Sequence, residues 1–291
     1  MNDKIIRDIP DASDIHLARA RIASQVRKTP VINDPGLDRE LGCKLFLKLE
    51  NLQHMGAFKF RGASNAVRHM VEDGIQGDLA THSSGNHGAA LALAASLAGR
   101  KAHIVMPDNS SRMKIDAVKG FGGQVHLCKP THESRNAGLE TLVQQGLTPI
   151  HPYDNRHIIA GQGTAALELE QEVPTLEQVI PPLGGGGLVS GTAIALQAWG
   201  VDVFGVEPAG AADTVASLEQ GRIVEHYIPD TVADGLRAIV GVRNFHVIQH
   251  HVKRVFTVSD DDIRKMMVLF WRKLKMLIEP SSATVLAAVG N

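Results

Sequence analysis

The chain has 291 residues and a formal net charge of −1 at pH 7, which is enough for one large or two ordinary domains. The balanced charge argues against a nucleic-acid partner held by charge alone. Two cysteines without CxxC or zinc spacing favour a reducing compartment, and no apolar run has the length of a signal peptide or membrane span. We therefore expect a soluble cytoplasmic protein without nucleic-acid or membrane partners.

Helix-like and strand-like segments alternate along most of the chain. Apolar spacing predicts helices over residues 11–26, 58–72, 111–122, 134–146, 164–173 and 260–276, one helix ending at Gly99 and one following Gly187. Asp11 or Ser13 can cap the first helix. Alternating or apolar runs predict strands over residues 44–50, 101–107, 123–129, 148–152, 177–183, 201–208 and 254–259, with a short strand before Ser83. This order predicts an α/β fold with parallel sheets flanked by helices.

Four consecutive glycines, Gly184 to Gly187, follow an apolar strand and open a helix in "PPLGGGGLVSG". Their backbone N–H groups and the positive end of the helix can together bind a phosphate. The dinucleotide fingerprint does not fit, because Val189 stands at its third glycine position, and no lysine precedes Thr192 as in a Walker loop. The alternative is a flexible turn, although four glycines cost much backbone entropy.

A second strand-turn-helix signal is "THSSGNHGAA". Ser83, Ser84 and Asn86 offer short polar groups at the start of a helix. Such a turn can bind a carboxylate or a ring hydroxyl, or it can simply cap the helix.

Lys59 stands between Phe58 and Phe60 near the predicted start of a helix. Desolvation and the positive helix end both disfavour its ammonium form. A lysine in this setting can be a neutral amine that forms a Schiff base. The alternative is a surface lysine whose stem covers apolar neighbours.

A Schiff-base lysine, a phosphate cradle and a polar turn together suit pyridoxal phosphate. Their order and spelling resemble the serine/threonine dehydratase and serine racemase family, closest to its serine racemase and threo-3-hydroxyaspartate dehydratase branch. The matching segments, over nearly the whole chain, are "KLENLQHMGAFKFRGA", "SSGNHG", "AGQGTAALEL", "PPLGGGGLVSG", "GVEPAGAADT", "VADGLR" and "MLIEPSSA". The resemblance implies a two-domain enzyme of fold type II with the tryptophan-synthase-β-like fold, and it suggests a homodimer.

The same resemblance assigns roles around the cofactor. Lys59 would carry it and act as the base on one face, Phe58 would pack against its ring and Asn86 would bond the ring hydroxyl. The residues expected to hold its phosphate are Gly184, Gly185, Gly186, Gly187 and Leu188.

Resemblance also assigns the substrate site. The residues expected to bind the α-carboxylate are Ser83, Ser84, Gly85, Asn86 and His87. Ser84 would exchange the α-proton on the second face, or would only bind carboxylate. Asp234 would face the substrate side chain, and Arg135 or Arg237 could pair with a second carboxylate, although a surface ion pair is the simpler reading of either arginine.

"GVEPAGAADT" resembles the divalent-cation site of the serine racemase branch. Glu207 and Asp213 would supply carboxylates and Ala211 its carbonyl. Oxygen donors of this kind suit Mg²⁺, Ca²⁺ or Mn²⁺. The alternative is a solvated loop.

The activity implied is an ammonia-lyase reaction on serine, threonine or threo-3-hydroxyaspartate, with serine racemisation as a second outcome. A β-replacement synthase and a catalytically impaired binding homologue remain alternatives. The second is motivated by the ending "LAAVGN", where relatives carry a Ser-Gly-Gly-Asn-like turn that meets the pyridine nitrogen. Ser281 and Ser282 are candidates for that nitrogen by composition only. We expect a large domain from residues 1–74 and 150–291, and an inserted, mobile small domain from residues 75–149.

Overall fold

The computed structural model describes residues 3–83 and 85–290. Its α-helices are α1 Asp3–Ile6, α2 Ala12–Ile22, α3 Pro35–Leu41, α4 Lys59–Glu72, α5 Asn86–Leu97, α6 Arg112–Gly120, α7 His132–Gln144, α8 Arg156–Glu172, α9 Gly187–Leu196, α10 Asp213–Gln220, α11 Val242–His251, α12 Asp260–Leu274 and α13 Pro280–Val289. Its strands are β1 Val31–Asn33, β2 Phe46–Lys48, β3 Leu79–His82, β4 Ala102–Pro107, β5 Gln124–Cys128, β6 Thr148–Pro149, β7 Gln178–Val179, β8 Asp202–Pro208 and β9 Arg254–Val258.

Two parallel sheets carry the architecture. One has the strand order β5-β4-β3-β6 and the other the order β7-β8-β9, while β1 and β2 form a short antiparallel pair. Leu79 lies opposite Ala102 and Thr148 in the first sheet, and Val206 lies opposite Phe256 in the second. Helices α5, α6 and α7 pack on the first sheet, and α9, α10 and α13 pack on the second. The predicted α/β fold with parallel sheets and flanking helices is therefore confirmed.

The four-stranded sheet lies entirely within the stretch predicted as the small domain. Its core forms because α5 is an Ala/Leu helix with most of its residues buried, including Ala90, Leu91 and Ala95, against Ile104 and Met106 of β4. Burying apolar side chains of this kind is the main favourable contribution to folding. The domain boundaries at residues 75 and 149 remain a prediction.

Glycines bring three helices into close contact at the centre of the molecule. A Cβ on Gly161 of α8 would lie 2.6 Å from the Cα of Gly62 in α4, and one on Gly163 would lie 2.6 Å from the Gly191 carbonyl oxygen in α9. Side chains at these positions would force the helices apart, because real Cβ atoms do not approach so closely. This packing fixes the starts of α4 and α9 relative to each other.

Several predicted elements differ from the structure in extent. The helix predicted at residues 164–173 begins two turns earlier, at Arg156, because tertiary packing outweighs the low helix propensity of its glycines. The strand predicted at residues 177–183 is shorter, since Pro181 and Pro182 have no N–H group to donate. Asp11, and not Ser13, caps α2, where it forms a capping box with Asp14.

Helices α1, α3, α10, α11 and α13 were not predicted, because each has ten residues or fewer and offers few turns over which an apolar spacing can repeat. Among residues 3–83 and 85–290, no helix combines the length and the apolar character needed to cross a membrane.

Candidate active site

A cleft of about 1350 Å³ opens beside the starts of α4, α5 and α9. Helix α5 follows β3, and α9 follows β7 after a short turn, so strand ends and helix starts meet at this cleft. Ligands of parallel α/β sheets bind at such positions, because the helix N–H groups and the strand ends leave a polar crevice.

Lys59 is the first residue of α4 and lines the cleft. Its Nζ donates a hydrogen bond to the Pro152 carbonyl at 3.2 Å and lies 5.3 Å and 6.0 Å from the ring centres of Phe58 and Tyr153. Burial lowers the pKa of Lys59 from 10.5 to about 8, because the ammonium group loses its hydration. Roughly a tenth of the molecules would carry the neutral, nucleophilic amine at pH 7.

A buried ion cluster holds the first turn of α4 in place. Arg61 is fully buried, and its guanidinium donates to both carboxylate oxygens of Glu50 and of Glu168, each at 2.8 Å. The ammonium of Lys48 lies 2.7 Å from Glu168. Bidentate pairs of this kind fix both position and orientation. Lys59 is therefore presented from a rigid helix start.

The segment from Gly184 to Gly187 forms a cradle with no space for side chains. Gly186 caps α9 with a φ of +92°, a conformation that glycine adopts without strain. A Cβ on Gly185 would lie 2.4 Å from the Tyr153 ring, and one on Gly184 would lie 3.0 Å from the Leu236 backbone. The first N–H groups of α9, including that of Leu188, have no acceptor within the helix and are available to an anion.

Two residues that sequence reasoning missed support this cradle. Asn244 of α11 donates from Nδ2 to the carbonyls of Gly185, at 2.7 Å, and Tyr153, at 3.2 Å. Burial raises the pKa of the Tyr153 hydroxyl well above its ordinary value, so the hydroxyl stays neutral near pH 7. Tyr153 follows a predicted strand, which was its only sequence signal, whereas Asn244 had none.

The polar turn before α5 is shaped by Ser83. Its Oγ accepts hydrogen bonds from the N–H groups of Gly85, at 3.2 Å, and Gly88, at 3.0 Å. His87 is buried, and neither ring nitrogen makes a hydrogen bond of good geometry with a described residue, although the Ile150 backbone lies beside the ring and opposes the fall in its pKa. Burial, followed by the nearby Lys59 charge, lowers the pKa of His87 well below its ordinary value. A neutral imidazole with unused hydrogen-bonding groups is available to a ligand here. The predicted role of Ser84 lies outside the described residues.

Asn86 has a partner that the sequence did not indicate. Its Nδ2 donates to both carboxylate oxygens of Glu279 at 3.0 Å, so in this conformation the amide is engaged by Glu279. Both residues line the cleft. The contact joins the start of α5 to the start of α13, which the sequence could not place side by side.

Lys114 is another cleft residue that sequence reasoning missed. Its ammonium binds the carboxylate of Asp234, and its side chain comes within 3.3 Å of the position that a Cβ on Gly85 would take. Asp234 therefore has a cationic partner in the cleft. Both predicted arginines, Arg135 and Arg237, line the cleft. Arg237 donates to the Thr231 carbonyl at 2.6 and 3.2 Å.

Ser281 lies at the end of the cleft next to Gly235. Its Oγ accepts the Gly235 N–H at 3.1 Å, which leaves the hydroxyl hydrogen free to donate. Ser282 also lines the cleft. Apolar residues such as Leu47 of β2 and Val179 of β7 also line the cavity.

The predicted cation residues lie together where β8 ends and α10 begins. Glu207 and Asp213 are buried, and they accept backbone N–H groups from Thr214 and Val215, and from Val240. Burial and the neighbouring Asp213 raise the pKa of Glu207 to about 8, and burial raises the pKa of Asp213 to about 6. Two buried carboxylates in proximity, beside the buried Ala211, fit a hard divalent cation that would neutralise their repulsion.

The fold and the cleft define an enzyme that uses a phosphate-bearing carbonyl cofactor, since a lysine amine of lowered pKa and an anion cradle line one cavity. A family model described as pyridoxal-phosphate dependent enzyme matches residues 22–291, and the chain belongs to this family. Its cofactor is pyridoxal phosphate.

Several individual proteins of named activity are similar to this chain over most of their length. The chain is 43% identical to a serine racemase from Dictyostelium discoideum, over 95% of this chain and 87% of that protein. It is 39% identical to a beta-hydroxyaspartate dehydratase from Paracoccus denitrificans, over 97% and 90% of the two chains. The solved structure of maize serine racemase superimposes with a TM-score of 0.94 and 40% identity, covering 97% of this chain and 87% of that one.

Proposed function

We propose that the protein is a pyridoxal-phosphate-dependent ammonia-lyase for a β-hydroxy amino acid, namely serine, threonine or threo-3-hydroxyaspartate, with serine racemisation as a second activity. The observation that carries the proposal is the buried Lys59 amine, with a pKa of about 8, in the same cleft as the glycine cradle. The similarity to a serine racemase and to a beta-hydroxyaspartate dehydratase supports the reaction class.

The residues of the cleft fit the cofactor. The N–H groups from Gly184 to Leu188 would hold its phosphate, and Lys59 would carry its carbonyl carbon. Phe58 would pack against the ring, and Asn86 would bond the ring hydroxyl after exchanging its present partner, Glu279. When bound, pyridoxal phosphate supplies an electron sink that stabilises negative charge on the substrate α-carbon.

The polar turn would bind the substrate. Its α-carboxylate fits the start of α5, where Ser83, Gly85 and the N–H groups of the first helical turn converge. The ring of His87 would donate a further hydrogen bond. The α-hydrogen would then lie near Lys59, whose free amine would take that proton as a general base.

Loss of the β-hydroxyl needs a proton donor close to the hydroxyl of the substrate side chain. Lys114 and Asp234 form an ion pair that lines this part of the cleft and would orient the hydroxyl. The products are a 2-oxo acid and ammonia. For 3-hydroxyaspartate, Arg135 would bind the second carboxylate. Arg237 is less suited, because two of its guanidinium nitrogens donate to the Thr231 carbonyl, whereas Arg135 makes one longer hydrogen bond, from Nε to the Thr131 carbonyl at 3.4 Å.

Racemisation requires a proton on the opposite face of the α-carbon. We assign this step to Ser84 from the sequence resemblance alone.

A divalent cation bound by Glu207, Asp213 and the Ala211 carbonyl would stabilise the large domain. We also propose that the protein is a homodimer and that it acts in the cytoplasm.

A parallel substrate screen tests this function. The holoenzyme is incubated with L-serine, L-threonine and threo-3-hydroxyaspartate, and 2-oxo acid and D-amino acid are measured together. We expect 2-oxo acid from at least one substrate and D-serine from L-serine. Release of no 2-oxo acid from any of them, with thioether formation from O-acetylserine and a thiol, would instead identify a β-replacement synthase.

A further inference from the structure

A cluster of metal-ligating side chains lies outside the cleft, on α11. His246 and His250 are four residues apart on this ten-residue helix, and their ring centres are 4.3 Å apart. Residues at this spacing share one face of a helix. His250 is exposed and His246 is half-buried, while Phe245 and Ile248 turn towards the core. The proposed reaction uses neither histidine.

The hydrogen bonding of His250 prepares one nitrogen for a metal. Its Nδ1 lies 2.7 Å from the His246 carbonyl oxygen. A carbonyl can only accept, so Nδ1 carries the hydrogen and Nε2 keeps its lone pair. Ligating histidines commonly donate their other N–H to a backbone carbonyl, because this fixes the orientation of the ring.

We propose that His246 and His250 form a two-histidine site for a borderline transition-metal ion such as Ni²⁺, Zn²⁺ or Cu²⁺, with water as the remaining ligands. Imidazole nitrogen favours these ions, whereas Mg²⁺ and Ca²⁺ prefer carboxylate oxygen. The site is therefore chemically distinct from the Glu207 and Asp213 pair.

Metal binding here would stabilise the helix that supports the phosphate cradle. The two histidines span one turn of α11, and an ion that binds only the folded helix stabilises it by mass action. Two residues before His246, Asn244 donates to the carbonyl of Gly185. Ni²⁺ should therefore raise the melting temperature of the holoenzyme.

Calorimetric titration of the tag-free, chelator-treated holoenzyme tests the site. Ni²⁺ and Mg²⁺ are titrated separately into the wild type, His250→Ala and the matched control His251→Ala, whose ring centre lies 6.4 Å from that of His250. We expect one Ni²⁺ per chain in the wild type and the control, and at least about tenfold weaker binding in His250→Ala. Mg²⁺ binding should be equal in all three proteins.

The same Ni²⁺ titration of the variant His246→Asn tests the second proposed ligand. Melting curves with and without Ni²⁺ show whether each variant is folded. Unchanged Ni²⁺ affinity in folded His250→Ala would overturn the proposal. An equal loss of affinity in His251→Ala would also overturn it, because the site would then not belong to the pair on one helix face.

Discussion

At the scale of single residues, burial sets the chemistry of the ionisable groups. Lys59 and His87 line the same cleft and both lose hydration there, so the neutral form of each is favoured. Burial raises the pKa of Glu207 and Asp213, because the carboxylate form loses its hydration and the protonated acid is favoured. Burial thus favours the uncharged form of all four side chains.

The lowered pKa of Lys59 predicts how the apoenzyme captures its cofactor. The unprotonated amine is the reactive form, so the rate of covalent capture should rise with pH and level off above about 8. Stopped-flow absorbance after addition of pyridoxal phosphate, between pH 6.5 and 9.5, measures this rate. Nα-acetyl-lysine is the control. A rate that is still rising tenfold per pH unit at pH 9.5 would mean that Lys59 behaves as an ordinary surface lysine.

The raised pKa of Glu207 predicts a pH-dependent stability. Between about pH 4.5 and 8 the folded protein binds more protons than the unfolded chain, so stability falls as pH rises through this window. Without metal, the melting temperature of the wild type should therefore fall more steeply from pH 5.5 to 8 than that of Glu207→Gln.

A divalent cation should remove this penalty, so Mg²⁺ should raise the melting temperature more at pH 8 than at pH 5.5. The exposed Glu219, on the same helix as Asp213, provides the matched control Glu219→Gln, which should melt like the wild type. Equal Mg²⁺ effects in wild type and Glu207→Gln would exclude the proposed cation site.

At the scale of elements, the site depends on where three helices begin. Helices α4, α8 and α9 approach closely through Gly62, Gly161, Gly163 and Gly191, and Arg61 ties the start of α4 to Glu50 and Glu168. The cradle glycines and Lys59 therefore occupy fixed positions relative to each other. A change in helix spacing should disturb the cleft without altering any residue that lines it.

Gly161→Ala tests the helix spacing. Its Cβ would meet the backbone of Gly62 at 2.6 Å and the Arg61 carbonyl oxygen at 2.7 Å, so we expect a loss of about 1–3 kcal/mol in the free energy of unfolding. Gly120→Ala is the matched control, because nothing lies within 4 Å of its Cβ position and its φ is not positive. Chemical denaturation of both variants checks the prediction, which fails if Gly161→Ala is as stable as Gly120→Ala.

At the scale of the whole molecule, periodicity was sufficient to predict the α/β class, the parallel sheets and most strands. The glycine cradle and the polar turn were also visible, because each has a local sequence signal. Tyr153, Asn244 and Glu279 were missed, because their roles arise from contacts between segments far apart in the sequence.

The central claim is that the Lys59 amine carries the cofactor and performs the proton transfer. The most direct measurement compares the visible absorption band of the lysine-bound cofactor, and 2-oxo acid release, in wild type, Lys59→Ala and the exposed-lysine control Lys265→Ala. We predict that only Lys59→Ala loses the band, with kcat/KM reduced by about 10²–10⁴-fold. A folded Lys59→Ala protein that keeps both the band and wild-type activity would contradict the claim.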